Sequence, residues 1–256
     1  MEVTAIQKNS DDMLQPTPQP WGFWPTLGFS AVIAIVYLVA TIIVCAGFTI
    51  IALAGDSELN VEEFAKALET NGLFLAISFA ISAPLVVVLA LLFAFIRKNI
   101  TVGQYLGLRN PGLKEFVKWC VLLGIFVAGS DTLTVFLDQS IVPEFMSKVY
   151  TTAYFTPLLW FALVIAAPVS EEIFFRGFLF KGIESSRVGS VGAILLTSAL
   201  WAILHLQYDA YGIVTIFACG VLLSVARIRT GSVYVTIAMH AMMNLIATCE
   251  VAIMLR

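Results

Sequence analysis

Glu171, Glu172 and Arg176 lie in one long apolar stretch, and the only two histidines of the chain, His205 and His240, lie in two others. Insertion scales put the cost of an Asp, Lys or Arg at the centre of a membrane helix at roughly 2.5–3.5 kcal/mol each, so groups kept at that cost mark a site. Glu172 and Arg176 are four residues apart on one helix face and can neutralise each other. Glu171 sits about 100° further around the helix and is left as the free carboxylate. In a low-dielectric site beside a polar partner, such a group is suited to take a proton near neutral pH. Trp201 and His205 are likewise four apart, as are His240 and Asn244, so each pair projects from a single face.

A glutamate, two histidines and an asparagine can activate water and donate hydrogen bonds to a carbonyl oxygen as it becomes an oxyanion, which is the chemistry of amide hydrolysis. The His, His, Glu subset could equally hold zinc with water in the fourth position. Asn244 favours the version without metal, because an amide is a poor zinc ligand and a good oxyanion donor. No cofactor is therefore expected, with zinc as the alternative. Pro168 withholds an amide from the turn before the two glutamates and is expected to kink the helix and open its backbone there.

The elements that must position these groups are membrane helices. Of 256 residues, 60% are hydrophobic and 12% charged, far from the roughly 25% charged of soluble domains. The expected fold is all-α, a polytopic membrane bundle of about seven transmembrane helices: Leu27 to Ala54, Gly72 to Ile96, Phe116 to Leu137, Phe155 to Phe180, Val191 to Leu206, Tyr211 to Ala226 and Val233 to Met254. The fifth and sixth are short. A net charge of -3 and scattered Lys and Arg argue against a nucleic-acid partner. Four cysteines without a CxxC pair read as small apolar residues.

Residues 1–20, polar and rich in proline, read as a disordered tail and lack the pattern of a cleaved signal. Residues 21–150 supply the N-terminal membrane helices, with Asp131 expected to hydrogen-bond within the bundle. Residues 151–256 hold the polar chemistry. Basic residues from Arg97 to Arg229 border alternate connections, while the segment from Asp56 to Glu69 is acidic. The positive-inside rule then places the N-terminus and the opening of the site on the cytoplasmic side of a cell (inner) membrane. On straight helices, Glu171 and His240 each lie roughly 14 Å from that side and His205 roughly 20 Å along its own span, so the fifth helix must tilt, start late or fold back near Gln207 to Tyr211.

At these residues the sequence resembles the CAAX protease and bacteriocin-processing (Abi) family of intramembrane endopeptidases. EEIFFRG at Glu171 to Gly177 matches its EExxxR element, WAILH at Trp201 to His205 its FxxxH element, and HAMMN at His240 to Asn244 its HxxxN element. The resemblance implies that Glu171 with His205 activates the attacking water, that His240 and Asn244 form the oxyanion hole, and that Glu172 and Arg176 support the geometry. It also implies a protein or peptide substrate met at the lipid bilayer, either a prenylated C-terminus or a bacteriocin. The family was long described as metal-dependent, and its better-characterised members resemble glutamate proteases without metal. Trp201 stands where the family usually carries Phe, an exchange expected to reshape the substrate groove and leave catalysis intact. Two other classes use the same inventory: a non-enzymatic immunity or scaffold protein that keeps the polar core for packing, and a proton-coupled transporter, which the lack of an internal repeat disfavours.

Overall fold

The computed structural model describes residues 19–255. Most of the expected N-terminal tail lies outside them; of Gln19 and Pro20, the former offers its carbonyl to Arg97 Nε at 2.8 Å. The described chain is all helical, with six helices long and apolar enough to cross a membrane and one shorter apolar helix. This is an integral membrane protein.

The spans are α1 (Phe23–Gly55), α3 (Gly72–Phe95), α5 (Leu113–Phe136), α7 (Thr156–Glu184), α9 (Ala210–Thr230) and α10 (Val233–Met254). The fifth hydrophobic run forms α8 (Gly189–Ile203), whose 15 residues reach only about 22 Å at 1.5 Å per residue, short of a hydrocarbon core about 30 Å thick. It stops two residues before His205. Three further short helices were not anticipated: α2 (Val61–Leu68), α4 (Val102–Leu106) and α6 (Glu144–Thr151). Local caps account for two of them. The Asn60 side chain accepts from the amides of Glu62 and Glu63 to start α2, and Thr101 with Gln104 closes a capping box on α4.

Helix α7 is central and packs against α1, α3, α4, α8, α9 and α10. Its core face is apolar: Phe175, Leu179, Phe180 and Ile183 join Trp119, Trp201, Leu223 and Met239 in one buried cluster. Near its end, Gly182 lets α1 come so close that a Cβ there would run into Thr26. Gly182→Ala is expected to cost about 1–3 kcal/mol through overpacking, read as a lower denaturation midpoint of the purified protein.

Pro168, in the middle of α7, does not break the helix. Two wider turns with i to i−5 hydrogen bonding, Ala162–Ala166 and Ile173–Leu179, flank the α-helical Ala167–Glu172 that holds both glutamates. Such π turns leave backbone groups free for other partners and recur at functional sites. The chain between α9 and α10 is only Gly231 and Ser232. Gly231 has φ +65°, and the first amide of α10, on Val233, donates to the Gly107 carbonyl at 2.9 Å. Ser232 and Val233 are fully buried beneath that loop, so α10 starts inside the protein.

Asp131 is half-buried and accepts no side-chain hydrogen bond among the described residues. The polar contact at that level is made by its neighbours: the Tyr211 hydroxyl lies 2.9 Å from Thr134 Oγ1 and donates to the Ser130 carbonyl at 3.3 Å.

Candidate active site

Glu172 and Arg176 form a salt bridge of 2.9 Å with both side chains fully buried. The guanidinium also donates through Nη2 to the Gly220 carbonyl at 3.2 Å, and Gly220 has no side chain to obstruct that approach. The same Glu172 oxygen accepts from His240 Nδ1 at 2.9 Å. With Nδ1 committed to the carboxylate, Nε2 of His240 is left for other chemistry.

Glu171 is half-exposed, and its Oε2 accepts from the Trp201 indole Nε1 at 2.6 Å. Its other oxygen has no protein partner among the described residues. Trp201 then touches the remaining groups. Its carbonyl takes a hydrogen bond from His205 Nδ1 at 2.8 Å, and a carbonyl only accepts, so Nδ1 of His205 carries a proton and Nε2 is left for another partner. The ring centroids of His205 and His240 lie 5.2 and 5.1 Å from that of Trp201. Tyr208, in the connection between α8 and α9, stacks loosely on His205 with 6.3 Å between ring centroids. Burial pushes its phenol up to about 12, and the charge of Glu171 acts in the same direction.

The depth conflict expected for His205 has a simple origin. Helix α7 continues to Glu184, past Phe180, its last turn held by a Lys181–Glu184 ion pair of 3.0 Å. Glu171 is therefore roughly 20 Å from that end, and Trp201 roughly 18 Å from the start of α8 at Gly189, so carboxylate and indole are level. His205 follows in the turn from Leu204 to Gln207, and Asp209 caps α9 by accepting from the Gly212 amide at 2.8 Å.

Asn244 does a different job from its neighbour His240. Its Nδ2 donates to the Leu163 carbonyl at 2.8 Å. In this π turn Ala167 donates to the Ala162 carbonyl, so the next amide in register would serve Leu163, and that residue is Pro168. Asn244 supplies the donor that the proline lacks, and keeps a second amide hydrogen. Asn244→Ala is expected to cost about 1 kcal/mol. In a Pro168→Ala background, where a backbone amide returns, the same substitution should cost less, a coupling that a double-mutant cycle on unfolding midpoints detects.

Among the described residues no three His, Cys, Asp or Glu side chains are arranged to hold a metal ion. Nδ1 of His205 is turned onto a backbone carbonyl and Glu172 is taken up by Arg176 and His240. Five of the six residues singled out in the sequence fall into two linked sets: Glu171 with His205 through Trp201, and His240 with Glu172 and Arg176. Asn244, the sixth, is bound to the Leu163 carbonyl. Sequence reasoning missed the Trp201 N–H, although a buried indole N–H usually needs an acceptor and the free carboxylate of Glu171 was at hand. Nor does Trp201 line an open groove, being 1% exposed.

Residues 153–246 match the model of the Rce1-like family, described as type II CAAX prenyl endopeptidase Rce1-like. This is the family resemblance carried by the three motifs. All three fall inside the matched segment. The chain is also 32% identical over 144 residues to an "Uncharacterized 24.3 kDa protein" of Escherichia coli, covering 54% of this chain and 63% of that relative, less than two thirds of its length. No solved structure matches the chain.

Proposed function

We propose that the protein is an intramembrane endopeptidase of the CAAX type, in which Glu171 activates water for attack on a peptide bond. The observation that carries this reading is the convergence on Trp201 of one half-exposed carboxylate, two histidines and a buried ion pair. Glu171 takes a proton from water while the lone pair of His205 Nε2 orients it, and the oxygen bonds to the scissile carbonyl carbon. The carbonyl oxygen becomes an oxyanion that accepts from His240 Nε2–H and from the second amide hydrogen of Asn244. The C–N bond then breaks, and the leaving amine takes the proton held by Glu171.

For that donation His240 acts as an imidazolium, its Nδ1–H on Glu172. Two carboxylates, one guanidinium and one imidazolium then sum to zero charge, the balance a low-dielectric site requires. No step needs a metal. The substrate is a protein or peptide met at the bilayer, with a prenylated cysteine near its C-terminus as the favoured class, given the family matched. The basic residues near the ends of α7 and α9, Lys181, Arg227 and Arg229, support an opening on the cytoplasmic side of a cell membrane.

The test is to reconstitute the purified protein in liposomes with a farnesylated C-terminal peptide and its unmodified twin, and to read products by mass spectrometry. Release of a C-terminal fragment, faster from the farnesylated peptide, is expected. Intact peptides of both kinds with folded protein would overturn the reading.

A further inference from the structure

We infer that Trp201 is a positioning residue for the proposed base, its indole N–H fixing Glu171 so that one carboxylate oxygen faces the attacking water. The inference deepens the endopeptidase reading and rests on it, although the hydrogen bond itself can be examined without any activity.

The indole is 1% exposed, and its N–H would be stranded in the core without Glu171 Oε2. A single bond of this kind could exist only to satisfy the tryptophan. Three further contacts argue for more. The Arg176 guanidinium carbon stands 4.6 Å from the ring centroid, a cation on the π face that draws electron density from the indole and makes its N–H a stronger donor. That same guanidinium is anchored on Glu172 and on the Gly220 carbonyl, so the ring is held in place from above. Both histidine rings pack edge-on, at interplanar angles of 71° for His205 and 79° for His240. Rotation of the indole is therefore opposed on several sides, and the N–H keeps one direction.

The consequence for Glu171 is asymmetric. Oε2 is occupied, and the other oxygen is left as the acceptor for a proton. A phenylalanine at this position would keep an aromatic ring and the carbonyl that receives His205, and would lose the N–H together with the second ring. The side chain of Glu171 could then turn freely about its terminal bonds, and a misplaced base loses rate without losing substrate affinity.

Trp201→Phe is thus expected to lower kcat about ten- to a hundredfold with KM close to the wild-type value. Incorporation of a benzothiophene isostere of tryptophan at position 201, which keeps the two-ring shape and has no N–H, should do the same and separates loss of the donor from loss of packing. A wild-type kcat in both proteins would overturn the inference. In parallel, the indole proton resonance of Trp201, assigned by its disappearance in Trp201→Phe, is expected downfield of the other tryptophans and to move upfield in Glu171→Gln. A resonance unmoved by that substitution would also overturn it. If the wild-type protein cleaves nothing while the resonance moves, the endopeptidase reading fails and the hydrogen bond stands.

Discussion

Glu171→Gln is expected to reduce peptide cleavage about a thousandfold or more, since general-base catalysis contributes 10²–10⁴-fold and the amide cannot take a proton from water at all. The substitution is nearly isosteric. Its side-chain oxygen can still accept from Trp201 Nε1, so the packing of the indole against Arg176 and the two histidine rings should survive. Helical content and the unfolding midpoint should therefore stay at wild-type values while the product vanishes. Retained cleavage would remove Glu171 from the mechanism and leave it as the acceptor that satisfies a buried indole. Loss of folding together with activity would make it structural.

The second large effect is on stability. Arg176→Met is expected to cost about 3–5 kcal/mol, because it leaves the fully buried Glu172 carboxylate with only His240 as a charge partner. Little else is present to compensate: Glu172 Oε2 has no protein partner among the described residues. The Gly220 carbonyl loses its donor in the same step, and the face of Trp201 loses its cation. The measurement is unfolding in denaturant from detergent micelles. The double variant Glu172→Gln with Arg176→Met removes both charges and should recover part of the loss, since an uncompensated buried charge is what makes the single variant costly. A single variant that unfolds like the wild type would show that the pair contributes nothing to folding.

Much of this was legible in the chain because membrane helices announce themselves as apolar runs. The last span was read with the bounds it has, Val233–Met254, and five others lie within a few residues of theirs. The failures have physical causes. Lys181 and Glu184 look like connecting-loop charges, but they pair along the last turn of α7 and extend it, which is why the depths first disagreed. The run from Val191 to Leu206 stays apolar up to His205, yet the helix stops at Ile203; the usable signal was Asp209, an N-cap that begins the next helix. The short helices α2 and α6 carry mixed charge and no long apolar run, so hydropathy passes over them.

The site divides in the same way. Pairing of Glu172 with Arg176 follows from four-residue spacing, and the structure contains it. Local spacing cannot say that His240 comes to Glu172 from a helix 68 residues on, or that Trp201 comes to Glu171 across 30 residues. Pro168 did announce a carbonyl in need of a donor. Which carbonyl depends on the π register of α7, and only with that register in view does Leu163 become the partner of Asn244.

The most direct measurement of the central claim is hydrolysis of the farnesylated peptide in water enriched in ¹⁸O, by wild-type protein and by Glu171→Gln side by side. The wild type should release a C-terminal fragment and carry one ¹⁸O atom into the new carboxylate of the other product, with Glu171→Gln releasing none. Equal product from both proteins, or none from a folded wild type, would contradict water activation by Glu171.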